Sequence, residues 1–456
     1  MRKLKLRWFV LTCLVVGLAS MAGCDSDHTG QIFIAPTLAP THKPTPTPAP
    51  TATATPTATP TLAPEACLPS SSLGVLVQGT NATIYAPLGN WGGGAVGVNV
   101  VPIETKSGIG TGGAPTTVTT ANTVNSCSSN SATGQTVCVA NNTDVYVITG
   151  TTLSNTLTSG SNATESFSGG SCNNCGVVVD SSTNKALITM GLTPNGPGGY
   201  QFLDLGSTPP AFEPPIPAGT NTTSVDTSEN ASIDPIRHLV LSPNEANNYQ
   251  IINTSAGTTK PAIFNNDLSS TVTTGEFDSA GEDCTTGIAL ATIEFTGDLY
   301  IADLTQATFN SVNQTWTDAA SQVQSFPEFS SLNAGTCGIA VAPGTHLGVV
   351  TGEFGGNVEG VIQLPATSGS GTPAVTDWVS FMVPNDPSNT PWAEGFDPHT
   401  VTAYVSPNTG KAYGVLENGS NTFLAVVDLQ GLLSAPRTGH VVNTPIPSGL
   451  ITFVAE

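Results

Sequence analysis

Leu299-Tyr300-Ile301-Ala302-Asp303-Leu304 is a short apolar run that closes on one carboxylate, and its shape recurs along the chain. Tyr200-Gln201-Phe202-Leu203-Asp204-Leu205 and Tyr249-Gln250-Ile251-Ile252-Asn253 precede it, and Val361-Ile362-Gln363-Leu364 and Val426-Val427-Asp428-Leu429 follow it. The polar anchors Asp204, Asn253, Asp303, Gln363 and Asp428 stand 49, 50, 60 and 65 residues apart, the mark of an internal repeat. Weaker copies end near Pro102, after Val98-Asn99-Val100-Val101, and near Thr149, after Val145-Tyr146-Val147-Ile148. That makes seven units of about 55 residues between Leu73 and Glu456, each with room for about four short strands between Gly, Asn, Asp and Pro turns. So small a sheet cannot bury both faces alone, so its successors must stack around an axis. The expectation is all-β: a β-propeller of seven blades over residues 73–456.

The unit nearest the C-terminus carries the fullest pattern: Gly395-Phe396-Asp397-Pro398-His399-Thr400-Val401, then Ser406-Pro407-Asn408-Thr409-Gly410-Lys411, then Val426-Val427-Asp428-Leu429. It resembles the YVTN-type repeat of bacterial surface β-propellers, whose landmarks are G-x-x-P-H-x-V, S-P-N/D-x-G-K and V-V-D-L. Gly338-Ile339-Ala340-Val341-Ala342-Pro343 and Gly176-Val177-Val178-Val179-Asp180 match the inner-strand part of that pattern. The resemblance implies seven blades and a binding or surface role without a defined ligand, because the fold hosts many activities. Gly449-Leu450-Ile451-Thr452-Phe453-Val454-Ala455 reads as one more inner strand, expected to complete the blade begun by Leu73–Ile84 and so to close the ring.

Ahead of the repeats, residues 1–23 combine basic Arg2, Lys3, Lys5 and Arg7 with an apolar stretch from Trp8 to Leu18, the build of an export signal and too short to span a bilayer. Met21-Ala22-Gly23-Cys24 resembles the bacterial lipobox, with Met21 where Leu is usual; this implies acylation of Cys24 and attachment to the outer face of a bacterial membrane, each buried CH₂ adding about 0.8 kcal/mol. Residues 24–72 form a linker dominated by Pro, Thr and Ala, which reads as an extended, disordered spacer. The chain carries a net charge of -21 with only 9% charged residues, against about 25% in an average soluble domain. With 11 Lys and Arg against 32 Asp and Glu it has no basic face for a phosphate backbone, which excludes nucleic acid as a partner. So few ionisable groups also suggest tolerance of acidic surroundings.

Export favours disulfides, and Cys127, Cys138, Cys172, Cys175, Cys284 and Cys337 are the candidates. Cys127 and Cys138 flank a hairpin-like loop and form the natural local bridge. Cys175 and Cys337 hold equivalent places before an inner strand, and Cys284 is placed near the same rim. Cys67, at the end of the linker, is the candidate for the odd thiol. Cys172-Asn173-Asn174-Cys175 is neither a redox motif, since no helix follows, nor a zinc half-site, since no second C-x-x-C exists.

No G-x-S-x-G elbow and no phosphate loop occur. The densest acidic stretch, Glu276 to Asp283, offers Asp278, Glu282 and Asp283 as oxygen ligands for Ca²⁺, although its spacing is not that of an EF-hand. Glu394, Asp397 and His399 form a second polar group, expected at the mouth of the axial channel, where ligand sites commonly form. The functional expectation is a membrane-anchored extracytoplasmic scaffold binding a protein, glycan or small ligand. The alternatives are a metal-dependent hydrolase or lyase of the lactonase kind working in the channel, and a structural protein of the cell envelope.

Overall fold

The structure, a computed structural model, describes residues 72–456 apart from 91–92, 141, 161–173, 191–198, 218–229, 245–246, 255–261, 331–334, 354–357, 370, 393–399, 418–421 and 444. The signal segment, Cys24, Cys67, Cys172 and the group Glu394, Asp397 and His399 lie outside the described residues.

Seven sheets follow one another along the chain, each pairing consecutive strands antiparallel. Their first strands are Gly74–Gln78, Val124–Asn130, Asn174–Asp180, Ser232–Asp234, Phe277–Asp283, Gly335–Ala342 and Val401–Val405, and each packs against the next until the seventh meets the first. These seven strands form the inner ring of a seven-bladed β-propeller, with blades 1 to 7 numbered in chain order. Inner strands are buried at nearly every position instead of on alternate ones, because each blade is covered on both faces by its neighbours. The core is accordingly divided into seven apolar clusters, one per interface between blades.

Local chemistry repeats with the same phase. In blades 3, 5 and 6 the inner strand carries a bulge, and a threonine thirteen residues later on the second strand receives the displaced backbone N–H: Gly176 to Thr189 Oγ1 at 2.7 Å, Ser279 to Thr292 Oγ1 and Gly338 to Thr351 Oγ1 at 2.8 Å. Each inner strand of blades 2 to 7 ends in a turn whose last residue is left-handed: Gly134, Asn184, His238, Gly287, His346 and Gly410, with φ between 56° and 77°. His238 and His346 thus stand where blades 2, 5 and 7 have glycine and blade 3 has asparagine, which assigns both a turn-forming role.

The apolar endings that reveal the repeat are the third strands of the blades, from Asp144–Thr149 in blade 2 to Phe423–Asp428 in blade 7. A fourth strand follows each of them. Ile451–Ala455 is therefore not an inner strand of the first blade, as its sequence suggested; it pairs antiparallel with Phe423–Asp428 as the outermost strand of blade 7. Among the described residues the ring closes without strand exchange, through side chains of blades 1 and 7. Ile84, Val101 and Ile103 pack on Tyr404, Val415 and Val426, and Glu104, fully buried, accepts from Tyr404 Oη (3.0 Å), Ser406 Oγ (2.5 Å) and Asn408 Nδ2 (2.9 Å).

Two connections leave their own blade. In blade 5 the link from Asp298–Asp303 to Gln322–Ser325 throws out a hairpin, Thr308–Asn310 with Thr315–Thr317, that adds to the outer edge of blade 4. Its Trp316 is wholly buried, donates from Nε1 to the Tyr249 carbonyl at 2.6 Å and lies edge-on to the Tyr249 ring. In blade 7 a second hairpin, Arg437–Thr438 with Val441–Val442, adds to blade 6 in the same way. There Arg437 clamps the Asp377 carboxylate with 2.7 and 2.6 Å bonds and His440 stacks on Trp378.

Candidate functional site

The two ends of the axial channel differ. Where the inner strands begin, the lead-in to blade 1 reaches across: the carbonyl of Ser72 accepts from Cys127 N of blade 2 at 2.8 Å, and its hydroxyl donates to Asn230 Oδ1 ahead of blade 4 at 3.1 Å. Asn230 in turn donates to Ser279 of blade 5. Ser72 and Asn230 are buried, so at this end a chain of polar groups links the inner ring from blade 1 to blades 2, 4 and 5.

Where the inner strands end, the channel opens into a cavity of about 640 Å³. Its wall comes from five blades: Val75, Val77, Gln78 and Gly79 of blade 1, Ser131 and Ala132 of blade 2, Ser181 of blade 3, Pro343 of blade 6, and Ala403 to Pro407 of blade 7. Among the described residues no carboxylate, histidine, lysine or arginine lines it. The hydroxyls of Tyr404 and Ser406 are already given to Glu104, whereas Ser131 accepts from Val77 N at 3.2 Å and keeps its own proton to donate.

The charged groups gather at the inner-strand ends of blades 4, 5 and 6. Asp234 Oδ1 accepts from the backbone N–H groups of Ile236 and Arg237, and Oδ2 from Arg237 Nη1 at 2.7 Å. Beside it Glu282 is 9% exposed with no donor at either oxygen, and burial, reinforced by the Asp234 charge, pushes its carboxyl well above the usual range. Asp283 faces the other way, to His346 Nδ1 of blade 6 at 2.5 Å and to Thr285. Burial opposes its ionisation, yet those hydrogen bonds outweigh burial and hold it low, while the bond to Asp283 raises His346. Asp278 sits at the far end of the same strand and accepts from Cys337 Sγ at 2.7 Å. Asp278, Glu282 and Asp283 are therefore directed at three different neighbours, and among the described residues no three His, Cys, Asp or Glu side chains are grouped as a metal site.

The pKa directions carry a signed expectation. The lowered carboxyls, Asp283 and Asp303 among them, contribute stability above the unfolded value near 3.8 and lose it only as pH falls through their folded values. Glu282 and His346, both raised, hold protons that the unfolded chain releases, so their contribution grows as pH falls from neutrality, by up to about 1.4 kcal/mol per pH unit for each group. The melting temperature should hold or rise between pH 7 and pH 4.5; a collapse between pH 6 and pH 4 in a calorimetric series would refute this.

Cys127 and Cys138 are directly opposite each other in blade 2 and are joined by a disulfide. Cys175 and Cys284 are each in a disulfide as well, with other partners than one another. Cys337, a disulfide candidate by sequence, is instead a buried thiol directed at Asp278. It shares the bulge position with Cys175, whereas Cys284 follows the inner strand of blade 5 and so lies at the opposite end of the blade from both.

No protein-family model and no curated protein matches the chain. Among solved structures, the β-propeller domain of Cps50 (Swd1) from Myceliophteria thermophila matches at 9% identity over 79% of this chain and 93% of its own, with a TM-score of 0.47. A putative 6-phosphogluconolactonase from Bacteroides uniformis matches at 12% identity over 82% of this chain and 99% of its own, with a TM-score of 0.50. At such identity the second likeness speaks for the fold alone, and it agrees with the seven sheets described above: the chain is a seven-bladed β-propeller.

Proposed function

We propose that this chain is a binding module, held at the outer face of a bacterial membrane by acylated Cys24 and the linker, that takes a ligand into the axial cavity. The supporting observation is the cavity itself: about 640 Å³, within the size range of small-molecule sites, and walled, among the described residues, without an acid or a base that could move a proton. The lactonase alternative fits less well. The activity named for the Bacteroides protein has a phosphate-bearing substrate, which calls for cationic partners. Of the five described Lys and Arg side chains, Lys185, Arg237, Lys411 and Arg437 are ion-paired, and neither they nor Lys106 lines the cavity. Ca²⁺ in the acidic group likewise has less support than the sequence offered, since its three carboxylates diverge.

The anchor is tested by metabolic labelling with a clickable fatty acid. The native chain should carry label and sediment with membranes, and Cys24→Ala should lose the label and leave the membrane fraction. A Cys24→Ala chain that stays labelled or membrane-bound would remove lipid anchoring from the proposal.

A further inference from the structure

We infer that the axial cavity selects an uncharged ligand with an apolar body and a single hydrogen-bonding group. The inference rests on the reading of that cavity as the binding site. Its wall is mainly aliphatic, with Val75, Val77, Val405, Ala403, Pro343 and Pro407, and among the described side chains those with a group to spare for a polar ligand are Ser131, Ser181 and Gln78. Those are enough to orient one polar head and too few to replace the hydration shell of an ion.

Charge behind the wall makes the selection sharper. Glu104 stands directly behind Tyr404 and Ser406 and accepts a hydrogen bond from each hydroxyl, so these two wall residues have no hydroxyl proton left for a ligand. An anion entering the cavity meets a negative potential with no cation to offset it. A cation is favoured by that potential but must shed its hydration shell, and the carboxylate beside the wall, Glu104, is sealed behind Tyr404 and Ser406 and cannot replace it. A neutral molecule loses nothing to either effect and gains from covering the aliphatic wall.

Two dyes with one skeleton separate these cases: N-phenyl-1-naphthylamine, which is neutral, and 1-anilinonaphthalene-8-sulfonate, which adds only a charge. They are titrated by fluorescence into the full chain carrying Cys24→Ala, so that neither acyl group nor detergent is present. The neutral dye should bind at one per chain, at least tenfold more tightly than the sulfonate. Ala132→Trp or Ser181→Trp, which fill the lip from blades 2 and 3, should weaken it at least tenfold while leaving the melting temperature unchanged. Equal or tighter binding of the sulfonate, blocked by both tryptophans, would overturn charge selection and leave the cavity as a site. Binding that neither tryptophan disturbs, or no stoichiometric binding of either dye, would overturn the cavity reading and this inference with it.

Discussion

Replacing Glu104 with alanine is expected to cost about 3–5 kcal/mol, because it strands the buried hydroxyls of Tyr404 and Ser406 in the one interface that closes the ring, while Asn408 Nδ2 keeps the Thr80 and Thr105 carbonyls. That is a large share of the roughly 5–15 kcal/mol by which a folded protein is stable. The contribution is concentrated because among the described residues no strand is exchanged between the first and last blades, so side chains alone resist opening. Glu104→Gln, which keeps an acceptor but brings one misplaced amide, should fall between native and alanine. Denaturant midpoints for the three proteins check the order. A loss below about 1 kcal/mol for Glu104→Ala would mean that the apolar faces of blades 1 and 7 close the ring unaided.

The second large effect concerns alkaline pH. All seven tyrosines are buried, and all have raised pKa values, burial being the first cause in each case and lifting Tyr300 to about 12. Four of them join neighbouring blades: Tyr85 donates to Gly150 O at 3.0 Å, Tyr200 to Gln250 Oε1 at 2.5 Å, Tyr249 to Leu290 O at 3.2 Å and Tyr404 to Glu104 at 3.0 Å. Groups raised in the folded state add stability that is complete below their unfolded value near 10 and is lost as pH rises beyond it. Each tyrosine that stays protonated contributes up to about 1.4 kcal/mol per pH unit to that loss, so a few acting together exhaust the stability within one or two units. Absorbance at 295 nm should show almost no tyrosinate up to about pH 11, then a single steep step that coincides with loss of the β-sheet circular dichroism. Gradual titration centred near pH 10, with the fold intact, would show the hydroxyls to be open to solvent.

The seven blades were legible because the third strand of a blade ends in a polar residue where the chain leaves the sheet, and such endings survive where the rest of the unit drifts. Their phase was not legible. Counting units from those endings leaves Ile451–Ala455 over as an apparent inner strand, whereas the structure counts it as the last strand of its own blade. An apolar run of five residues gives no sign of which neighbour it pairs with. The closing contact was hidden for another reason. Asn130, Asp180, Asp234 and Asp283 open the inner turns of blades 2 to 5 and accept the turn N–H groups themselves. Blade 7 has Ser406 at that place, which accepts from Asn408 and Thr409 and passes its proton to Glu104, 302 residues away. The smaller residue was the one available hint. The cavity had none, since valine, alanine, serine and proline carry no chemical signature and converge only once five blades are in place.

The two hairpins that cross from blade 5 to blade 4 and from blade 7 to blade 6 also bear on how such a ring can change length. A copy of blade 5 alone would bring a hairpin whose apolar residue, Trp316, has no Tyr249 to receive it, and a copy of blade 4 alone would expose the edge that the hairpin covers. Copying blades 4 and 5 together, or 6 and 7 together, carries brace and host in one segment. Among the described residues blades 2 and 3 have no such crossing and can be gained or lost singly. Along this half of the ring the heritable unit is two blades, although the repeat in its sequence is one.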